Sequence, residues 1–87
     1  MSAAINDTRR FRIFRVKSSG GEMEAEPSSD IWQDPSGRVI VSGIWEGILF
    51  PSQEDLSLQA TALSVSPLEY ARQRLLRSPF VRIEVLE

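Results

Sequence analysis

The chain is predicted to be an α+β domain: a small, mostly antiparallel, curved sheet packed by one helix near the C-terminus. Three observations carry this. Alternating apolar and charged residues in "RFRIFRVK" and "VRIEVLE" have the period of strands with one face inward. Turn-forming clusters, "SSGG" and "DPSG", separate such runs in the first half as hairpin loops do. A segment with its own start signal, "SPLEYARQRLLR", has helical spacing. The predicted order along the chain is β-β-β-β-β-α-β, with a flexible N-terminal arm over 1–8 and a single domain over 9–87.

The first strand, "RRFRIFRVK" (9–17), interleaves Arg9, Arg10, Arg12, Arg15 and Lys17 with Phe11, Ile13, Phe14 and Val16. Phe11 and Ile13 point to one face and Phe14 and Val16 to the other, which predicts a bulge near Ile13–Phe14. The second strand carries Glu22, Glu24 and Glu26. Taking Ser18–Gly21 as a four-residue loop, Lys17 faces Glu22, Val16 faces Met23, Arg15 faces Glu24 and Phe14 faces Ala25. Opposite charges then share one face and apolar pairs the other, so the basic strand is neutralised by its neighbour. Arg9, Arg10 and Arg12 lie at or beyond the limit of the acidic strand. They remain available to a partner.

Asp34-Pro35-Ser36-Gly37 has the residue order of a type I turn and joins a short strand, Ile31–Gln33, to a long one from Arg38 to Phe50. Gly43 and Gly47 interrupt the long strand and predict a bend or a close backbone approach; Pro51 ends it. Residues 56–65, "LSLQATALSV", lean towards a fifth strand. In the helix, Ser66 is the N-cap, Pro67 the first helical residue and Glu69 the return arm of a capping box. Leu68, Ala71 and Leu75 make its apolar stripe, joined at its end by Leu76, with Arg72, Arg74 and Arg77 towards solvent. Ser78-Pro79 stops it. The last strand should turn Val81, Ile83 and Val85 inward and Arg82 and Glu84 outward.

Composition narrows the function classes. The 87 residues include no cysteine and no histidine, which removes disulfides, thiolate nucleophiles, soft-metal sites and imidazole bases. The remaining candidates for proton chemistry are carboxylates, which need a pocket that separates their pKa values. Asp30, Asp34, Glu46, Glu54 and Asp55 are the candidates for one. A core this small rarely encloses such a pocket, so the expectation is a protein that is not an enzyme and holds no cofactor and no metal. Charged residues make up 25% and the net charge is −2, with a pI near 5.1, so no global field draws the chain to nucleic acid or anionic lipid. No apolar run approaches the ~20 residues of a membrane-spanning helix, and "MSAAINDTRR" lacks a secretory apolar region. A soluble, cytoplasmic protein with no membrane association is expected.

The stretch "GIWEGILF" points to a partner. As a strand it places Trp45 with Val41 and Leu49 on one face, and Ile40, Ile44, Ile48 and Phe50 on the other. One helix covers one face of a sheet, so a strand apolar on both faces calls for a second cover. That cover is a curled sheet, a second copy of the chain or another protein. Trp45, Ile44, Ile48 and Phe50 are therefore the candidate contact residues, with Arg9, Arg10 and Arg12 as a charged rim. The function expected is a small protein-interaction module: an adaptor, an assembly or linker subunit, or an inhibitor. The alternative is a single-stranded nucleic-acid binder that stacks bases on Phe11 or Phe14 beside arginines. Acidic pairing of the first strand makes this the less favoured reading.

The two ends of the chain resemble the small phycobilisome linker domains of cyanobacteria. The likeness lies in an aromatic-basic first strand, a Pro-started, Arg-rich helix at "SPLEYARQRLLR" and a final alternating strand, "VRIEVLE". Residues 27–55 have no counterpart, and Ser78-Pro79 stands where that family has a glycine pair. The resemblance implies a small assembly or adaptor protein.

Overall fold

The computed structural model describes residues 5–42 and 52–86. The expected long strand beyond Ser42, with Gly43, Ile44, Trp45, Glu46, Gly47, Ile48, Leu49 and Phe50, lies outside the described residues. Within them the class is α+β. A four-stranded antiparallel sheet runs in the order β3-β2-β1-β4, from β1 (Arg10–Ser19), β2 (Glu22–Gln33), β3 (Val39–Val41) and β4 (Val81–Leu86). Helices α1 (Gln53–Ala62) and α2 (Pro67–Leu75) lie between β3 and β4 in the chain.

Two differences from the expected order have local causes. Residues 22–33 form one strand where two were expected, because the "EPSSD" segment stays extended through a bulge: Ile13 pairs with Ser29 but Phe14 with Pro27, so Ser28 is the extra residue. The bulge falls at the Ile13/Phe14 step the alternation indicates, on the partner strand. Proline is tolerated there because, among the described residues, β3 pairs β2 only over Ile31–Gln33 and no strand lies on the outer side of Pro27. The second difference is at 56–65, which is helix up to Ala62. Ser52 caps it, its hydroxyl accepting from the Asp55 amide at 3.2 Å, and Glu54 and Asp55 place negative charge in the first turn. Leu56 and Ala60, one helical turn apart, are both 1% exposed. The apparent Leu–Ser–Leu alternation comes from Leu56 facing in and Leu58 facing out. Ser64, at φ 57°, reverses the chain after α1, and the Val65 amide bonds the Ala60 carbonyl at 3.0 Å, closing the helix in a Schellman arrangement.

The first hairpin also has a tighter turn than Ser18–Gly21. Gly20 and Gly21, at φ 60° and 86°, make a two-residue turn, whose twist matches that of the flanking strands and which needs positive φ at both positions. Every pair therefore moves by two residues: Lys17 faces Glu24, Val16 faces Ala25 and Arg15 faces Glu26. An even shift keeps each residue on its face, so charges still oppose charges. Lys17 Nζ reaches Glu26 Oε1 diagonally at 3.0 Å.

One face of the sheet carries the core. Phe11, Ile13, Ile31, Val39, Val41 and Val81 pack against Leu56, Ala60, Leu68, Tyr70, Ala71 and Leu75 of the helices. Two helices, not one, cover this face. The stripe expected on α2 is the one buried, and Leu76 is exposed. Val85, expected inward, is 59% exposed, since α2 packs chiefly on β2 and β3. Gln33 ties the layers together: its Oε1 accepts from the Leu68 amide at 3.1 Å and its Nε2 donates to the Ile5 carbonyl at 2.7 Å. Residues 5–8, expected in a flexible arm, are fastened here and at Asp7.

Ser29, opposite Ile13, is buried with its hydroxyl unpaired. A buried hydroxyl without a partner carries its desolvation cost uncompensated. Ser29→Ala should therefore leave the thermal midpoint unchanged or raise it, whereas a buried small-residue change in this core would otherwise lower it.

Candidate functional site

Strand alternation and register assign every sheet residue to the helix-covered face or the open one. On the open face the first cross-sheet row is Leu86–Arg10–Trp32–Ile40, each residue opposite the next. The Arg10 guanidinium lies over the Trp32 ring, 4.2 Å from its centroid, a cation–π contact that restrains the indole. Trp32, Ile40 and Leu86 are each half-buried. The next row is charged, Glu84–Arg12–Asp30, with Arg12 Nε donating to Asp30 Oδ1 at 3.0 Å. That bond raises the Arg12 pKa above its ordinary value. Beyond it come Arg82–Phe14–Pro27, then Val16–Ala25, then Ser18–Met23 at the hairpin tip. Met23 is 68% exposed. Among the described residues, both helices lie on the other face.

Of the residues expected to make contact, Arg10 and Arg12 come together on this face. Arg9 does not. It sits on the helical side in a network with the N-terminal segment and α2. Its Nε donates to Asp7 Oδ1 at 3.0 Å and its Nη2 to Asp7 Oδ2 at 2.7 Å and Glu69 Oε1 at 2.9 Å. The Ser66 hydroxyl donates to Asp7 Oδ2 at 2.6 Å while accepting from the Glu69 amide at 2.9 Å. The cap expected at Ser66 is thus in place, but the Glu69 carboxylate turns to Arg9, Arg72 and Gln73. Hydrogen bonding by Arg9, opposed by burial, brings the Asp7 pKa down to about 2. Hydrogen bonding by Arg72, again opposed by burial, brings Glu69 to about 2. Both are ionised at neutral pH and neither can donate a proton there. Arg9, Arg10 and Arg12 each have a carboxylate or aromatic partner within the chain, unlike the unpaired rim the charge pattern suggested.

Ile44, Trp45, Ile48 and Phe50 lie outside the described residues. Ile40, which alternation places on the same strand face as Ile44, Ile48 and Phe50, is on the open face. Sequence reasoning missed Trp32 and Leu86. The signal was present: in "IWQ", Ile31 and Gln33 point inward, and the residue between them must point out.

Of the carboxylates considered for catalysis, Glu46 lies outside the described residues, and the others form no cluster of three or more. Asp30 pairs with Arg12, and Asp34 holds its own turn through Ser36 and the Arg38 amide. A shallow concavity of about 320 Å³, lined by Ser36, Gly37, Arg38, Gln53, Glu54 and Ser57, includes one of them, Glu54. No helix among the described residues is long and apolar enough to cross a membrane. Comparison with protein families, characterised proteins and solved structures finds no match.

Proposed function

We propose that the chain is a cytoplasmic, non-catalytic interaction module that binds a protein partner through the open face of its sheet. The observation that supports this best is the row Leu86–Arg10–Trp32–Ile40. An amphipathic tryptophan, stiffened by an arginine and flanked by aliphatic side chains, has the composition of an interface hot spot. It stands on a face that neither helix covers. The Glu84–Arg12–Asp30 row beside it supplies an alternating-charge rim, which favours a partner with its own mixed charges over a uniformly anionic one. This is why a protein is preferred to single-stranded nucleic acid. Phosphates would have to displace Asp30 from Arg12, and Arg15 stands opposite Glu26.

The test compares wild type with Trp32→Ala and Arg10→Glu in quantitative capture from the source cell, with Leu58→Ser on the exposed side of α1 as control. Both face variants should weaken retention of the wild-type partner by at least tenfold, while the control retains it. Trp32→Ala should cost less stability than the ~3–5 kcal/mol of a buried aromatic, because the indole is half-buried. Unchanged retention by both face variants sinks the reading. A salt-dependent shift with a single-stranded oligonucleotide that both variants abolish would decide for the nucleic-acid alternative.

A further inference from the structure

A sheet edge is a row of unpaired amides and carbonyls, and folded chains generally guard it. Two of the edges here are guarded. On β3, the Gln53 side-chain amide acts as a substitute strand. The Val39 amide donates to Gln53 Oε1 at 3.0 Å, and Gln53 Nε2 donates to the Val39 carbonyl at 2.7 Å. On β2, the stretch beyond β3 carries Pro27, the bulge at Ser28, and Glu22, Glu24 and Glu26, which would oppose one another in a self-pairing centred on this stretch that keeps both helical layers on one side. The outer edge of β4 has neither device. Six residues run without proline or bulge, and β1 is the only neighbour among the described residues. Two apolar side chains beside it are uncovered: Phe80 is 64% exposed and Val85 59%.

We infer that this edge pairs with the same edge of a second copy, joining two four-stranded sheets into one across a two-fold axis. The sequence of β4 is self-complementary in one antiparallel register. With Ile83 opposite the second copy's Ile83, Arg82 faces Glu84, Val81 faces Val85 and Phe80 faces Leu86, each pair occurring twice. All the pairs match: apolar with apolar and cation with anion. This register also keeps both helical layers on one side of the joined sheet, since paired residues then lie on the same face in both copies. Moving the axis by one residue along the strand sets either Glu84 against Glu84 or Arg82 against Arg82. Half-residue moves set Ile83 against Glu84 or against Arg82. Within one chain, Arg82 and Glu84 meet only at 3.8 Å, at 60% and 48% side-chain exposure, and direct cross-strand partners would replace that loose contact. The edge shares Arg82, Glu84 and Leu86 with the open face, but its test reads self-association and not retention of a foreign partner, so the inference and the proposed function fail separately.

Charge reversal tests it. The full-length chain should show a concentration-dependent dimer by sedimentation equilibrium. R82E alone sets two glutamates against two glutamates, and E84R alone sets two arginines against two arginines. Each should weaken self-association roughly tenfold or more. Mixed one to one, R82E and E84R place opposite charges at both positions and should form a heterodimer that neither forms alone. Val85→Lys, a change at an exposed site, should also abolish the dimer. Circular dichroism establishes that each variant is folded; were a charge reversal to unfold the chain, Val85→Lys carries the test. A wild-type chain that remains monomeric up to about 1 mM overturns the inference. So does a dimer indifferent to all three substitutions, or folded single variants whose mixture associates no better than either alone.

Discussion

Phe11→Ala is expected to destabilise the domain by about 3–5 kcal/mol, the cost of truncating a buried aromatic. Phe11 is 1% exposed at the centre of the core, between β2 and β4 and beneath the helical layer. Its ring also supports two guanidiniums, those of Arg9 at 5.0 Å and Arg72 at 5.9 Å from the centroid. Truncation therefore opens a cavity and loosens the support beneath the network that anchors the N-terminal segment to α2. A domain of this size has a total stability of only about 5–10 kcal/mol, so the variant should be largely unfolded at 37 °C. Phe11→Leu keeps most of the volume and removes the ring, and should lose about 1–2 kcal/mol. Urea midpoints at constant slope measure both. A loss below about 1 kcal/mol for Phe11→Ala would mean that the core does not close around this ring.

Asp7→Asn should have the next largest effect, about 2 kcal/mol at neutral pH, and should change the response to acid. The Asp7 side chain is 8% exposed and takes four hydrogen bonds from Arg9 and Ser66 that favour its ionised form. Its pKa is about 2 in the folded chain against an ordinary 3.8, and that of Glu69 is about 2 against 4.5. Depressed values mean that the folded state binds fewer protons than the unfolded state. The stabilisation is fully present above the unfolded values and is lost as the pH falls from about 4.5 towards about 2. Each carboxylate contributes on the order of 2–3 kcal/mol at neutral pH, and less in sum because both use Arg9. Wild type should therefore lose stability steeply across that window, and Asp7→Asn should start lower and fall less. Parallel pH profiles for the two proteins would show that Asp7 is not the group responsible.

The elements whose signals are local were the most legible in the sequence. Ser66, Pro67 and the apolar spacing of Leu68, Ala71 and Leu75 are sufficient to place α2, because a cap and a helical stripe act within a few residues. The bulge at Ile13–Phe14 could be read from a break in alternation, although alternation does not reveal which strand carries the extra residue. Helix α1 was misread because Leu56, Leu58 and the following alanines satisfy strand and helix periods over so short a window. Ser52 and Asp55, which cap it, lay in a segment that reads as a loop. Of the candidate surface, the sequence named Arg10 and Arg12, which lie on the open face, but not Trp32 or Leu86; the apolar residues it named beyond Ser42 lie outside the described residues.

The sequence by itself determined the class, the opposition of charges in the first hairpin and the position of α2. All of these follow from periodicity and from residue types that favour one backbone conformation. Only the tertiary structure decided the partners. Arg9 and Arg10 are adjacent in the chain, yet alternation sends one to Asp7 and Glu69 beneath the helices and the other onto Trp32 on the open face. Gln33 and Gln53 look like ordinary surface residues in the sequence, but one joins the N-terminal segment to α2 and the other seals the edge of β3. Such roles depend on which backbone groups the fold leaves unpaired. That is fixed by strand order and helix placement across tens of residues, and no local pattern encodes it.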